Sequence, residues 1–150
     1  MNDWSARELQ TQEMKMSLGP AKGKDFATSL GPYLVTKDEL ASKRIPSPNG
    51  DRYDLEMRAF LNGKQISKGN MKDMTWTFAQ ILERISYNLM IHPGEVIGSG
   101  TVGTGCFMEL NVTGVTQNVW LKPGDDVVME IDGLGRLENK IVEGSEEYVP

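Results

Sequence analysis

The residues best suited to chemistry sit at the start of the chain. The first stretch reads MNDWSARELQTQEMKMSLGPAKGKDFAT. Asp3 supplies a carboxylate. Arg7 and Gln10 follow at near-helical spacing and share a face if the segment is a helix. Lys24, preceded by Gly23, comes twenty-one residues after Asp3, and Thr28 comes just after it. A carboxylate, an amide, an ammonium and a hydroxyl are suitable parts for one polar site. Loops held by rigid elements are where such sites usually sit. The same residues would also serve as a solvated surface, and spacing alone does not separate the two readings.

A second stretch, Gly98-Ser99-Gly100-Thr101-Val102-Gly103-Thr104-Gly105, has four glycines in eight residues. Glycine lets backbone amides approach a ligand closely, but it also makes bulges and bends. The lysine and spacing of a phosphate-binding P-loop are missing. His92, the single histidine, is the one side chain that titrates near neutrality unperturbed. Its place beside Pro93-Gly94 reads as a surface turn rather than a general base. The lone Cys106 excludes an intramolecular disulfide and fits a reducing compartment, and one Cys with one His disfavours structural zinc.

The elements that must position these residues follow from pattern. Residues 4–14 read as a short helix with Ser5 as N-cap and Glu8 completing a capping box. Gly19-Pro20 stops it, and Lys22-Gly23-Lys24-Asp25 reads as a charged loop. Gly31 to Thr36 reads as a strand opening with proline, where proline is tolerated. Residues 37–52 read as a polar surface connection. Leu55, Met57, Ala59 and Leu61 alternate with polar neighbours, and Asn62-Gly63 signals a type I′ hairpin into KQISKGN. Residues 73–90 read as the one long helix. Its apolar positions are Phe78, Ile81, Leu82, Ile85 and Leu89, with Asp73 or Thr75 as cap and His92-Pro93-Gly94 as stop. Trp76 and Phe78 read as core. Glu95–Ile97, Phe107–Thr113, Asn118–Leu121, Val127–Ile131 and Leu137–Val142 read as strands, with turns at Lys122–Asp125 and Asp132-Gly133. The tail from Gly144 reads as frayed. The sum is a β-rich α+β domain over residues 1–143, with 144–150 as tail.

At 150 residues the chain is one domain at most, large enough to bury a core. Hydrophobic residues make up 39% and charged residues 25%, as in an ordinary globular protein. The net charge of −5 and the lack of a basic stripe give nucleic-acid binding no electrostatic footing. No apolar run approaches the roughly 20 residues of a spanning helix, and the polar N-terminus shows no signal-peptide pattern. The expected setting is cytoplasmic, with no membrane partner.

The motifs NDWSARELQ and LGPAKGKDFATSLGPYLVT resemble the signature of the fumarylacetoacetate hydrolase family. LEMRAFLNGKQISKGN and HPGEVIGSGT agree, in order, across the whole chain. The likeness is to the C-terminal half of the catalytic domain. It implies a mixed β-sandwich roll, incomplete on its N-terminal side. It also implies a small 2-oxo or 1,3-dicarbonyl acid as substrate, with hydrolytic C–C cleavage of an acylpyruvate-type compound foremost. Oxaloacetate decarboxylation and dienoate hydration or isomerisation are its rivals. The implied cofactor is Mg²⁺, with Mn²⁺ or Ca²⁺ as alternatives, and the implied assembly a homodimer. By the same resemblance Asp3 is a metal ligand. Lys24 stands beside the metal as a catalytic residue, and Thr28 lies in the same region. Gln10 and Thr101 bind substrate, while Arg7 pairs with a carboxylate to fix the loop. These residues are expected to converge on one cleft.

The departures are as specific. The family's Glu-x-Glu metal pair and its histidine base belong to the preceding half, so Met1 is expected to be an internal methionine of a longer chain. Glu143, Glu146 and Glu147 do not match the pair, His92 does not match the base, and Met14 replaces a tyrosine that touches substrate. The rival readings of the chain are a non-catalytic remnant and a β-roll binding module without the metal ligands.

Overall fold

The computed structural model describes residues 1–144. The chain forms two compact units, Met1–Pro32 and the remainder from Tyr33.

In the first unit, strand β1 (Asn2–Asp3) pairs antiparallel with β2 (Thr28–Ser29), setting Asp3 opposite Thr28. The Trp4 indole N–H donates to Ser29 Oγ at 2.8 Å and ties the same ends together. Helix α1 runs Arg7–Glu13 and begins without a side-chain cap, at Ala6. The capping box expected from Ser5 and Glu8 does not form, because the Ser5 hydroxyl accepts a hydrogen bond from Lys24 instead. A 3₁₀ turn, Met14–Met16, continues α1, and Ser17 closes it in the left-handed region at φ 55. The stop therefore falls before Gly19-Pro20. Residues Lys22–Asp25, expected as a loop, form one turn of helix, α2. Its first backbone amides are satisfied by Glu13, eight to ten residues upstream. A cap that distant leaves no local signature.

The second unit is built on a four-stranded antiparallel sheet. Strands β3 (Arg44–Ile45) and β4 (Arg52–Tyr53) first form a small separate hairpin within the expected surface connection. The sheet itself has the order β6-β5-β7-β8, with β5 Glu56–Leu61, β6 Lys64–Asn70, β7 Asp126–Ile131 and β8 Gly135–Lys140. The β5–β6 turn is Asn62 (φ 49) and Gly63 (φ 78), both left-handed as a type I′ turn requires. Asn62 also donates to the buried Asp125 carboxylate at 2.9 Å, and Asp125 accepts the Lys122 N–H at 3.0 Å. This pins the hairpin turn to the turn that opens β7. Leu55, Leu110, Val127 and Val128 are the buried apolar residues among those described, Leu55 and Leu110 fully so.

Several expected elements differ. Residues 31–36 form no ladder in the described structure. Tyr33 lies against Gly135, where an added Cβ would meet the ring at 3.3 Å. Helix α3 is Phe78–Ile85, shorter than the expected 73–90. Its cap is Thr77, in a full capping box with Gln80, while Asp73 lies in a separate 3₁₀ turn, Met71–Asp73. The helix ends at Ser86, well before His92. Trp76, expected in the core, is 63% exposed, and Leu82 and Leu89 are exposed too. Periodicity records that a face is apolar, and it does not record what covers that face.

Residues 95–97 and 118–121 form no strand. Asn111 holds the latter stretch as a loop, accepting the Val119 N–H at 3.0 Å and donating to Val119 O at 2.9 Å. Phe107–Val112, expected as a strand, is helix α4 with Leu110 buried. A short apolar run does not distinguish strand from buried helix. The expected frayed tail, with Glu146 and Glu147, lies outside the described residues apart from Gly144.

Candidate active site

The polar centre of the first unit is Lys24. Its ammonium lies 2.7 Å from Asp3 Oδ2 and donates to Ser5 Oγ at 2.8 Å and to the Asp3 carbonyl at 3.3 Å. Three groups from one short stretch thus collect on a lysine twenty residues downstream. The β1–β2 pairing fixes the backbone of Asp3 and places Thr28 directly across from it. Asp3 and Thr28 are both exposed, while Lys24 keeps about a quarter of its side chain, 26%, in contact with solvent. An ion pair this open is worth roughly 0–1 kcal/mol. Separating it to admit a ligand therefore costs little, as a binding site needs.

Helix α2 carries Lys24 and is held by two devices. The Glu13 carboxylate accepts the N–H groups of Ala21 (2.9 Å), Lys22 (2.8 Å) and Gly23 (3.0 Å). The Gly23 N–H above all, with those of Ala21 and Lys22, holds the Glu13 carboxyl below the usual carboxylate range. Gly23 itself is buried against α1, where an added Cβ would stand 2.8 Å from Gln10 N, and its carbonyl accepts the Ala6 N–H at 2.9 Å. The lysine is thereby set by its neighbour's lack of a side chain.

On α1, Arg7 Nη1 donates to Gln10 Oε1 at 2.6 Å. Arg7 was expected to pair with a carboxylate and pairs with this amide instead. The guanidinium only donates, so the contact fixes the amide orientation and leaves Gln10 Nε2 as the remaining donor.

Thr101 belongs to the second unit, on an exposed loop. That loop is well tied. Thr104, at φ 64, donates its N–H to Glu109 Oε2 at 2.7 Å, and its hydroxyl lies 3.1 Å from Ser67 Oγ on β6. The Gly105 N–H donates to Val102 O at 2.8 Å, and Gly69 leaves room for the Val102 side chain. Of the glycines in this stretch Gly105 serves loop packing, since an added Cβ would stand 2.6 Å from Val102 O, whereas Gly100 and Gly103 have open space around them. His92 is exposed and follows α3 without belonging to it.

Sequence reasoning missed Ser5 and Glu13. Ser5 reads as a helix cap, and only the lysine's position reveals its other use. Glu13 reads as one more charge on a solvated helix. The signal that could have found it was the lack of any local cap ahead of Lys22-Gly23-Lys24.

Comparison with known proteins identifies the family. The family model described as "Fumarylacetoacetate (FAA) hydrolase C-terminal" matches residues 1–142. The chain belongs to the fumarylacetoacetate hydrolase family. A curated member, fumarylacetoacetase of Oryza sativa subsp. japonica, is 31% identical over 162 aligned residues, covering 86% of this chain and 38% of the relative. The 2,4-didehydro-3-deoxy-L-rhamnonate hydrolase of Sphingomonas sp. (strain SKA58) is 33% identical, covering 95% of this chain and 45% of its own length. Among solved structures, fumarylacetoacetate hydrolase from Exiguobacterium antarcticum superposes with a TM-score of 0.61 at 27% identity. That match covers 92% of this chain and 43% of that one. The fold is the family's. The chain spans 38–45% of the length of these curated relatives.

A divalent cation fits the donors here in kind and not in number. Asp3 and Thr28 offer hard oxygens, which Mg²⁺ prefers. Among the described residues, however, no group of three or more Asp, Glu, His or Cys gathers to hold a metal ion, and Asp3 is paired with Lys24. These residues alone do not make a Mg²⁺ site.

Proposed function

We propose that this chain is the C-terminal catalytic segment of a divalent-metal-dependent enzyme that cleaves a C–C bond of an acylpyruvate-type acid by hydrolysis. The observation that carries the reading is the Lys24 centre. Its ammonium is gathered with Asp3 and Ser5 at family-motif positions, on a helix held from below by Glu13 and Gly23. Hydrolysis of a 1,3-dicarbonyl acid expels an enolate, and a fixed positive charge lowers the barrier by stabilising that oxygen as charge develops. Lys24 is the proposed source of this charge. Gln10, its amide turned by Arg7, offers Nε2 to a substrate oxygen. Thr101 is proposed to bind the substrate carboxylate.

The proposed metal is Mg²⁺, with Asp3 as a ligand and Thr28 close by. Asp3 alone competes poorly with water for it, so the proposed site requires further oxygen ligands. The substrate is a small molecule, and a homodimer is the proposed assembly.

Ultraviolet absorbance distinguishes the chemistries, in the protein carrying the whole catalytic domain. Loss of enol absorbance from a simple acylpyruvate, with carboxylic acid and pyruvate as products, is the expected result. Turnover of oxaloacetate to pyruvate and carbon dioxide with no acylpyruvate cleavage would replace hydrolysis by decarboxylation. Absence of turnover on either, with metal present, would favour the binding-module reading.

A further inference from the structure

We infer that Glu13 is a positioning residue for Lys24, a role that rests on Lys24 being the cationic group of the proposed site. The two side chains do not touch in the described structure; they are joined through backbone. Both Glu13 oxygens are spent on α2: Oε2 accepts from Ala21 and Gly23, and Oε1 from Lys22. These are the N-cap residue and the first two residues of a helix four residues long. So short a helix has almost no internal hydrogen bonding to stabilise it, since nucleating a turn is unfavourable. Ala21 cannot cap with its side chain, and the helix begins without a side-chain cap of its own. Glu13 replaces that missing cap from α1, with charge-assisted bonds that are about twice as strong as neutral ones.

The consequence reaches the site. Lys24 follows Gly23 directly, and its ammonium must meet Asp3 Oδ2 at 2.7 Å and Ser5 Oγ at 2.8 Å. Gly23 contributes close packing on Gln10 but no cap. Without the Glu13 carboxylate, α2 loses the contact that sets its first turn, and the lysine loses its fixed origin. Partners that orient a functional side chain typically change activity about 10–100-fold when removed.

The experiment has two arms so that this inference and the functional reading fail separately. In the first, Lys24 of the chain is modified by an amine-reactive reagent and its rate is followed by peptide mapping. Exposed Lys64, on β6 in the other unit, is the internal reference. Glu13→Ala is expected to raise Lys24 modification several-fold relative to Lys64, with Glu13→Gln, which keeps one acceptor oxygen, in between. If Glu13→Ala fails to fold, the Glu13→Gln and Glu13→Asp variants carry the same comparison. An unchanged Lys24 rate in folded variants overturns the inference, whatever the enzyme does.

In the second arm, turnover is measured in the whole catalytic domain as a double-mutant cycle. Glu13→Ala should lower kcat about 10–100-fold in the wild-type background and have almost no further effect on Lys24→Ala, because a residue acting through Lys24 has nothing left to act on. Additive losses would make Glu13 merely structural and overturn the inference. A wild type without turnover would defeat the functional reading and leave the first arm to decide the role of Glu13.

Discussion

At the residue scale, the site is a small set of polar groups whose worth lies in placement. Asp3 and Lys24 form an open ion pair that contributes little stability. Replacing Lys24 with Met should therefore leave the unfolding midpoint nearly unchanged. It should lower turnover by about 10²–10³-fold, the usual cost of losing an oxyanion-stabilising group. A Lys24→Met protein with near-normal turnover would remove Lys24 from the chemistry. His92 should be dispensable: His92→Gln is expected to keep turnover within a few-fold, and a loss of about 10²–10⁴-fold would mark it as a general base after all.

Acid sensitivity belongs to this scale too. Asn62, with the Lys122 N–H, holds the Asp125 carboxyl below its usual range. A depressed carboxylate stabilises the fold fully above its unfolded value, near pH 4, and loses that contribution as pH falls through the folded value. Stability measured by urea titration should therefore fall on acidification below about pH 4, and Asp125→Asn should flatten that slope. An equal slope in both proteins would show that Asp125 does not carry the effect.

At the element scale, what was legible in the sequence had a local cause. The β5–β6 hairpin was readable because Asn62-Gly63 accepts a left-handed turn and the flanking residues alternate. β7 and β8 were readable for the same reason, bounded by Asp125 and by Asp132-Gly133. Helix α2 was not, because its cap comes from Glu13, and neither was the true start of α3, where Thr77 and Gln80 outcompete Asp73 and Thr75. Phe107–Val112 was misread because its helical face packs at Leu110, a tertiary fact. The motifs singled out Asp3, Lys24 and Thr28, which lie together in the first unit, but not the Ser5 contact or the Arg7–Gln10 pair, since both depend on which partner arrives in space.

The close approach of α2 to α1 gives a direct prediction. Gly23→Ala puts a Cβ within 2.9 Å of Gln10 Cα. Forcing α1 and α2 apart should cost about 1–3 kcal/mol, as overpacking usually does, and should also displace Lys24. Denaturant unfolding measures the first effect, and unaltered stability would show that the two helices have slack.

At the scale of the whole molecule, the described residues are rich in exposed apolar groups, with Leu34, Trp76, Leu89 and Met90 among them. Where such groups are contiguous they mark interaction surfaces. Residues 1–150 alone are therefore expected to self-associate, seen as a mass above 16.7 kDa in sedimentation. A well-behaved monomer at all concentrations would argue against cover by other protein.

The central claim is that Asp3 and Lys24 belong to a metal-dependent C–C hydrolase site. The most direct measurement follows acylpyruvate cleavage by the whole catalytic domain during calorimetric titration with Mg²⁺, for wild type and Asp3→Ala. The account predicts turnover that rises with metal occupancy in the wild type and is abolished, together with metal binding, in Asp3→Ala. Cleavage that ignores both Mg²⁺ and the loss of Asp3 would contradict it.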